Sequence, residues 1–209
     1  MGLPDAKPTR GSRRKQRNRE RLVTAAATIL SRKGVDAATI AEITEEADLG
    51  FGTFYNHFES KEAIVDEVLS SGLEALGAAL DRLTQGMDDP ARVLATCFRH
   101  LLATPDRDPV WAWFILRMPD ASTRLTQHFQ HRALRDVEEG VRSGRFKRGH
   151  AASLTIALSG LILEGMRAKL SGTATNEIDP HLTSYSLRLL GVSEDEAQQL
   201  AHGPLPPIE

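Results

Sequence analysis

Between Ile64 and Leu83 the residues Ile64, Val65, Val68, Leu69, Leu73, Leu76, Leu80 and Leu83 recur at three- and four-residue spacings. That pattern holds them on one face of a helix and on no face of a strand. Ser60 is placed to cap this segment and Gly86 to break it, so the helix is long enough to join two domains. The same spacing appears in Leu22, Ala26, Ile29 and Leu30, in Val93, Leu94, Cys97, Phe98, Leu101 and Leu102, and in Leu154, Leu158, Leu161, Ile162 and Gly165. No stretch alternates with a period of two and no internal repeat is present, so the expected fold class is all-α.

Helix ends are marked as clearly as helix faces. Residues 1–12 hold Gly2, Pro4, Pro8 and Gly11 without apolar periodicity and read as a flexible basic arm. A helix is expected from Arg13 to Lys33, with Gly34 in the stop position. Thr39-Ile-Ala-Glu42 has capping-box spacing and opens a short helix to about Ala47. Asp48-Leu49-Gly50 suits a tight turn, and Phe51 to Phe58 offers two further helical turns. Asp89-Pro90, Asp108-Pro109 and Asp179-Pro180 each set a capping acid before a proline, whose missing N–H costs nothing in a first turn. Further helices are expected from about Asp120 to Ser143, and through Leu154 to near Gly172.

Composition narrows the function classes. The chain has 209 residues and one cysteine, Cys97, so an intrachain disulfide is excluded and a reducing, cytoplasmic location is expected. The longest nearly apolar stretch, Ala151 to Leu163, is short of the roughly 20 residues that span a bilayer, so no membrane role is expected. No apolar core with a small-residue cleavage site follows the N-terminus, which argues against a secretory signal. The net charge is −2, but Lys7 to Arg21 carries eight basic residues against Glu20 alone. Positive charge is gathered at one end, where it either meets a polyanion or solubilises a tail.

A long helix followed by two short ones, behind a basic arm, is the arrangement of a helix-turn-helix whose second helix enters the major groove. Phe54 and Phe58, four residues apart, can face inward, which leaves Gly52, Thr53, Tyr55, Asn56 and His57 for solvent or a partner. The stretch Thr39 to Leu69, TIAEITEEADLGFGTFYNHFESKEAIVDEVL, resembles the DNA-binding region of the TetR family of transcriptional regulators, with a close match from Arg19 to about Leu69. Beyond it the chain matches only in helix pattern.

The resemblance implies a homodimer that binds a palindromic double-stranded operator, most simply as a repressor, and releases it when a small molecule occupies the C-terminal domain. Carried onto this sequence, Thr39 and Lys61 would reach phosphates from helix starts, and Tyr55 and His57 would hold the backbone. Gly52, Thr53 and Asn56 would lie near base edges, with Phe51 offering an apolar contact to a thymine methyl. The expected division is a basic arm at 1–12, a helix-turn-helix domain at 13–64, an effector-binding and dimerisation domain at 65–203 and a tail at 204–209.

For the effector, Trp111, Trp113, Phe114 and Met118 cluster behind the Asp108-Pro109 start together with Arg117, either as an apolar pocket with few polar groups or as plain core. An arginine there favours an anionic ligand; an apolar pocket without lysine suits hydrophobic compounds. Glu164 is either a ligand-reading carboxylate or an ion-pair partner. The family's dimer bundle would use Leu154, Leu158, Leu161, Ile162 and Gly165 on one helix and Leu182, Tyr185, Leu189 and Leu190 on the next, although the first set also suits an internal core helix.

Cys97 with His100, and His128 with His131, offer two ligands per helix where a divalent metal usually wants four, so no metal and no cofactor is expected. No G-x-S-x-G, phosphate-binding glycine loop or H-E-x-x-H occurs, which argues against an enzyme. The alternative function is a helical module that binds a protein through its N-terminal unit. Salt separates the two, because DNA affinity falls steeply with ionic strength.

Overall fold

The computed structural model of the protein describes residues 10–117, 121–175 and 177–208, and among them there are helices and turns but no strand. The chain divides after Ser71 into two compact units.

The first unit opens with α1 (Arg10–Ala37), which starts earlier than Arg13. Leu22, Ala25, Ala26, Ile29 and Leu30 form its buried face. Gly34 interrupts the helix as expected: its φ of 77° lies in the left-handed region that other residues adopt only at a steric cost. Thr39 then builds the full capping box of α2 (Ile40–Glu46), its side chain accepting from the Glu42 N–H while the Glu42 carboxylate accepts from the Thr39 N–H at 3.1 Å. Asp48 turns the chain with a φ of 49°, a conformation aspartate tolerates, and the Arg21 guanidinium donates to both its carboxylate and its carbonyl. Next come α3 (Phe51–Tyr55) and α4 (Lys61–Thr84), the latter capped by the Ser60 hydroxyl, which accepts from the Ala63 N–H at 3.2 Å. Phe54, Phe58, Ile64, Val65, Val68 and Leu69 close the core. Burying a side chain such as Phe54 completely contributes roughly 1.5–3 kcal/mol. At the edge of this core Arg19 lies 5.1 Å from the Phe58 ring centroid and pairs with Glu67 at 2.7 Å.

The second unit takes α4 from Gly72 onward, then α5 (Pro90–Leu102), α6 (Thr104–Arg107), α7 (Pro109–Arg117), α8 (Ala121–Arg142), α9 (Ala151–Leu170), α10 (Ile178–Leu189) and α11 (Glu194–His202). Phe98, Leu102, Val137, Phe146, Leu158, Leu187 and Leu190 belong to its main core. Asp89 and Asp108 act as the Asp-Pro signals predict, accepting from the N–H groups of Ala91 and Trp111.

Asp179-Pro180 does not start its helix. It lies inside the first turn of α10, which begins at Ile178, because the Asp179 carboxylate pairs instead with Lys169 at 2.6 Å. The same ammonium reaches Asp106 and the Leu102 carbonyl, tying α9 to α5, α6 and α10. The helix α9 has 20 residues and a hydropathy of 1.2, so by length and composition it could cross a bilayer, unlike the shorter apolar run read from sequence. Its Thr155, Leu158, Leu163, Gly165 and Met166 are buried within this unit, and Glu164, Arg167 and Lys169 put charge along its C-terminal half. The helix α11 has no counterpart among the sequence-derived elements.

Candidate nucleic-acid interface and effector cavity

In the first unit, α3 turns Phe54 fully inward, so its neighbours are forced outward. Phe51 and Tyr55 are each about half exposed, at 53% and 52%, and their rings meet edge to face at 5.5 Å. Gly52 and Asn56 are exposed; Thr53 and His57 are half-buried. A Cβ added to Gly52 would meet nothing within 4 Å, so no contact inside the chain accounts for glycine at that position. The His57 imidazole is pushed below its ordinary range by burial and by the nearby charges of Lys15 and Arg19, which keeps it neutral near neutral pH. Arg13, Arg14, Lys15 and Arg17 are exposed on the first turns of α1; residues 1–9 of the expected arm lie outside the described residues.

Two expected phosphate ligands are also engaged within the chain. The Lys61 ammonium donates to the carbonyls of Val35 at 3.0 Å and Ala38 at 3.1 Å, satisfying acceptors left over at the end of α1. The Thr39 hydroxyl lies 3.0 Å from the Glu42 carboxylate in the capping box, yet the residue remains exposed.

The second unit holds a partly open cavity of about 110 Å³, walled by apolar side chains of α4, α5, α7, α8 and α9, among them Leu73, Phe98, Ile115, Phe129, Leu158 and Met166. An engineered apolar cavity of about 150 Å³ is large enough to take benzene, so this one is on the scale of a single ring. Its few polar side chains are those of Cys97, Thr104, Asp136, Thr155 and Ser159. Asp136 is the charged member. Burial pushes its carboxyl above the ordinary range and nearby Asp81 adds to the rise, while Arg135, donating at 2.9 Å, opposes it. Asp136 also lines an open polar cleft between α4, α5 and α8, so its carboxyl stands between cavity and solvent. The Cys97 thiol is pushed up to about 12 by burial, so it is protonated at neutral pH while it stays buried and reacts faster when solvent reaches it.

The aromatic cluster chosen from sequence is not this wall. Trp111 lines a separate shallow cleft, packing against Gly72 so closely that a Cβ there would come within 2.5 Å of its ring. Phe114 is buried beside Trp111, and Trp113 is half-buried; neither lines the cavity, because the turn of α7 presents Ile115 to it instead. Glu164 is exposed and pairs with Arg167, the ion-pair alternative. Met118 lies outside the described residues, as does the Arg117 side chain. Asp136 escaped notice because α8 reads as a charged helix, although its position in the stripe Leu125, Phe129, Ala133, Asp136 and Val137 is legible from spacing.

The residues expected at a dimer face separate into two groups. Tyr185 and Leu189 are exposed at 52% and 46%, and Ile156 of α9, not singled out from sequence, at 66%. Leu154, Leu161, Ile162 and Leu182 are half-buried against the core, and Leu158 is buried in the cavity wall. Gly165 faces inward too: a Cβ on it would lie 2.6 Å from side-chain carbons of both Leu102 and Leu182. The absence of a side chain there lets α9 approach Leu102 and Leu182 within the chain.

Family models match both units: residues 22–68 fit the bacterial regulatory proteins of the tetR family, and residues 89–203 the tetracyclin repressor-like C-terminal domain. The HTH-type transcriptional repressor KstR2 of Rhodococcus jostii is 36% identical over 96 residues, 46% of this chain and 46% of that protein. The chain thus spans about half the length of the curated relatives it matches. The crystal structure of RolR in complex with resorcinol superposes with a TM-score of 0.80 at 34% identity, covering 94% of this chain and 99% of that one. FadR of Bacillus subtilis, solved with stearoyl-CoA, shares the fold at 18% identity and a TM-score of 0.66, over 84% of this chain and 98% of that one. With one family model matched across the helix-turn-helix and another across most of the second unit, the chain belongs to the TetR family of transcriptional regulators.

Proposed function

We propose that this protein is a ligand-responsive transcriptional regulator, acting as a repressor, which binds a palindromic double-stranded DNA operator as a homodimer and leaves it when a small molecule fills the cavity of the second unit. The observation that carries the reading is the outward surface of α3. Phe51, Gly52, Tyr55 and Asn56 face solvent beside a basic α1, and nothing inside the chain calls for glycine at position 52. A glycine with open space around it suits close approach of a duplex. Tyr55 and His57 would hold phosphates, while Phe51, Gly52, Thr53 and Asn56 would meet base edges. Thr39 and Lys61 would primarily set the angle at which α1, α2 and α4 meet, and only secondarily touch the backbone.

For the effector, a single-ring cavity with one carboxyl in its wall supports a small, uncharged, mostly apolar compound whose hydroxyl donates to Asp136. Resorcinol, named with the RolR structure, has this chemistry. An anionic ligand is disfavoured, because Asp136 would repel it in a low-dielectric wall. Ile156, Tyr185 and Leu189 are the exposed apolar groups on α9 and α10 that support a two-fold contact. The role is that of a cytoplasmic regulator and not of an enzyme.

Enrichment of duplexes from a random pool by the purified protein tests the reading. A two-fold symmetric motif, bound with an affinity that falls steeply between 50 and 200 mM salt, is expected. No enrichment by a folded protein that has been denatured and refolded to strip ligand overturns it and favours the protein-binding module.

A further inference from the structure

The cavity needs a route for its ligand, and two recesses border it. One is the open polar cleft behind Asp136, bordered by a chain of ion pairs: Arg135 joins Asp81 and Asp136, and Arg132 joins Asp81 and Glu74. The other is a cleft of about 260 Å³ lined by Leu76, Ala79, Thr104, Arg107, Trp111 and Ile208. Leu76 and Thr104 line the inner cavity as well, so the partition on this side includes an aliphatic side chain and a threonine.

Ile208 sits on a strap, residues 203–208, that follows α11 without regular structure. Its backbone is latched to α5 at two points. Arg99 donates to the Gly203 carbonyl at 2.8 Å, and His100 lies with Nε2 3.0 Å from the Pro206 carbonyl. His100 is 3% exposed, and Arg107 meets its other ring nitrogen at 3.1 Å. An Arg107 donor on Nδ1 requires that nitrogen to accept, which leaves Nε2 to carry the proton that holds Pro206. The strap therefore hangs from side-chain bonds to two of its carbonyls, with an apolar residue over the cleft. Such a segment opens locally at a lower free energy than the helices beneath it. Passage past Asp136 on the opposite side would require displacing a carboxylate that is paired with Arg135.

We propose that the C-terminal strap is the gate of the cavity: small apolar ligands pass beneath Ile208 and between Leu76 and Thr104, and the neutral His100 ring latches the gate shut. The role assigned to the gate rests on the cavity being the effector site; its existence as a route does not.

Cys97 makes the route measurable without an effector or DNA, because the protein's one cysteine lines the cavity. Intact-mass measurement of Cys97 methylthiolation by methyl methanethiosulfonate, at fixed pH, is compared among the full chain, a chain ending at Leu205, Ile208→Ala and Asp136→Ala. The shortened chain is expected to react about ten-fold faster or more, and Ile208→Ala several-fold faster, at temperatures well below their melting midpoints. Ile208→Ala leaves both latch bonds in place and decides the matter if the shortened chain is unstable. Equal rates in the full chain and Ile208→Ala, or acceleration by Asp136→Ala alone, would overturn the gate and assign the route to the polar cleft. A two-fold DNA motif found together with either of those results would leave the regulatory function standing while the gate falls.

Discussion

Two side chains carry the proposed chemistry, and each can be tested by removing one polar group. The Tyr55 ring is packed 5.5 Å from Phe51 and 5.4 Å from Phe54, so truncation to alanine would disturb α3 as well as any phosphate contact. Tyr55→Phe removes only the hydroxyl. Loss of one hydrogen bond of about 1 kcal/mol should weaken operator binding roughly five-fold across sequences, with the helical spectrum unchanged, as read by fluorescence anisotropy on matched and random duplexes. A loss confined to one operator sequence would place Tyr55 at a base edge instead. Asp136→Asn retains shape while removing the negative acceptor. Calorimetry with resorcinol should show affinity reduced by roughly ten-fold or more, as for a hydrogen bond to a charged group, whereas benzene binding should change little. Equal losses for both compounds would mean that the substitution merely deforms the wall.

At the scale of elements, what the sequence made legible follows from how local each determinant is. The capping box at Thr39, the Ser60 cap, Asp89-Pro90 and the Gly34 stop involve groups a few residues apart, and each forms as read. Asp179-Pro180 failed because Lys169, ten residues away on another helix, competes for the carboxylate. The helix α11 was missed because its polar run Glu194-Asp-Glu-Ala-Gln-Gln offers only Ala197, Leu200 and Ala201 to the core. The cavity wall assembles one stripe from each of several helices, and its members come together only in three dimensions. The Trp111 cluster stands out by composition, but Trp111 packs on Gly72 and Phe114 on Trp111, so neither ring lines the cavity. The inward-facing Gly165 of α9 and the exposed Tyr185 of α10 lead to opposite expectations. Gly165→Leu should lower the melting midpoint by overpacking Leu102 and Leu182, at about 1–3 kcal/mol, and leave the subunit count of the folded fraction unchanged. Tyr185→Glu should convert dimer to monomer in sedimentation at micromolar concentration with little loss of helix. An intact Tyr185→Glu dimer would remove α10 from the subunit contact.

For the whole molecule the question is how an occupied cavity is felt by the DNA-binding unit. The helix α4 runs unbroken through the division at Ser71, contributing Val68 and Leu69 to the first core and Leu73 and Leu76 to the cavity wall. Along its outer turns Glu74 and Asp81 both bind Arg132, whose side chain is 13% exposed, and Asp81 also binds Arg135, the partner of Asp136. A ligand hydroxyl that donates to Asp136 competes with Arg135 and shifts charge toward Asp81, so ligand binding and the seating of α4 share one set of ions. Coupling between sites typically amounts to about 1–3 kcal/mol, a 5- to 150-fold change in affinity, and of these pairs Arg132–Asp81 is the best shielded from solvent, Glu74 and Arg135 being more than half exposed. Arg132→Gln removes the link from Glu74 to α8 and one of the two links from Asp81, leaving Arg135 on Asp81, while sparing Asp136 and α3. The expected result is a resorcinol affinity and a ligand-free operator affinity each within a few-fold of the original protein, but an operator release by saturating resorcinol that is reduced about ten-fold or more. Because linkage is reciprocal, operator DNA should then also lose its effect on resorcinol binding, a second measurement made on the same variant. If release persists at full strength with Arg132 replaced, the Arg132 pairs serve only to hold α8 against α4, and the signal passes through Arg135 and Asp81 or through the apolar contacts of Leu73 and Leu76.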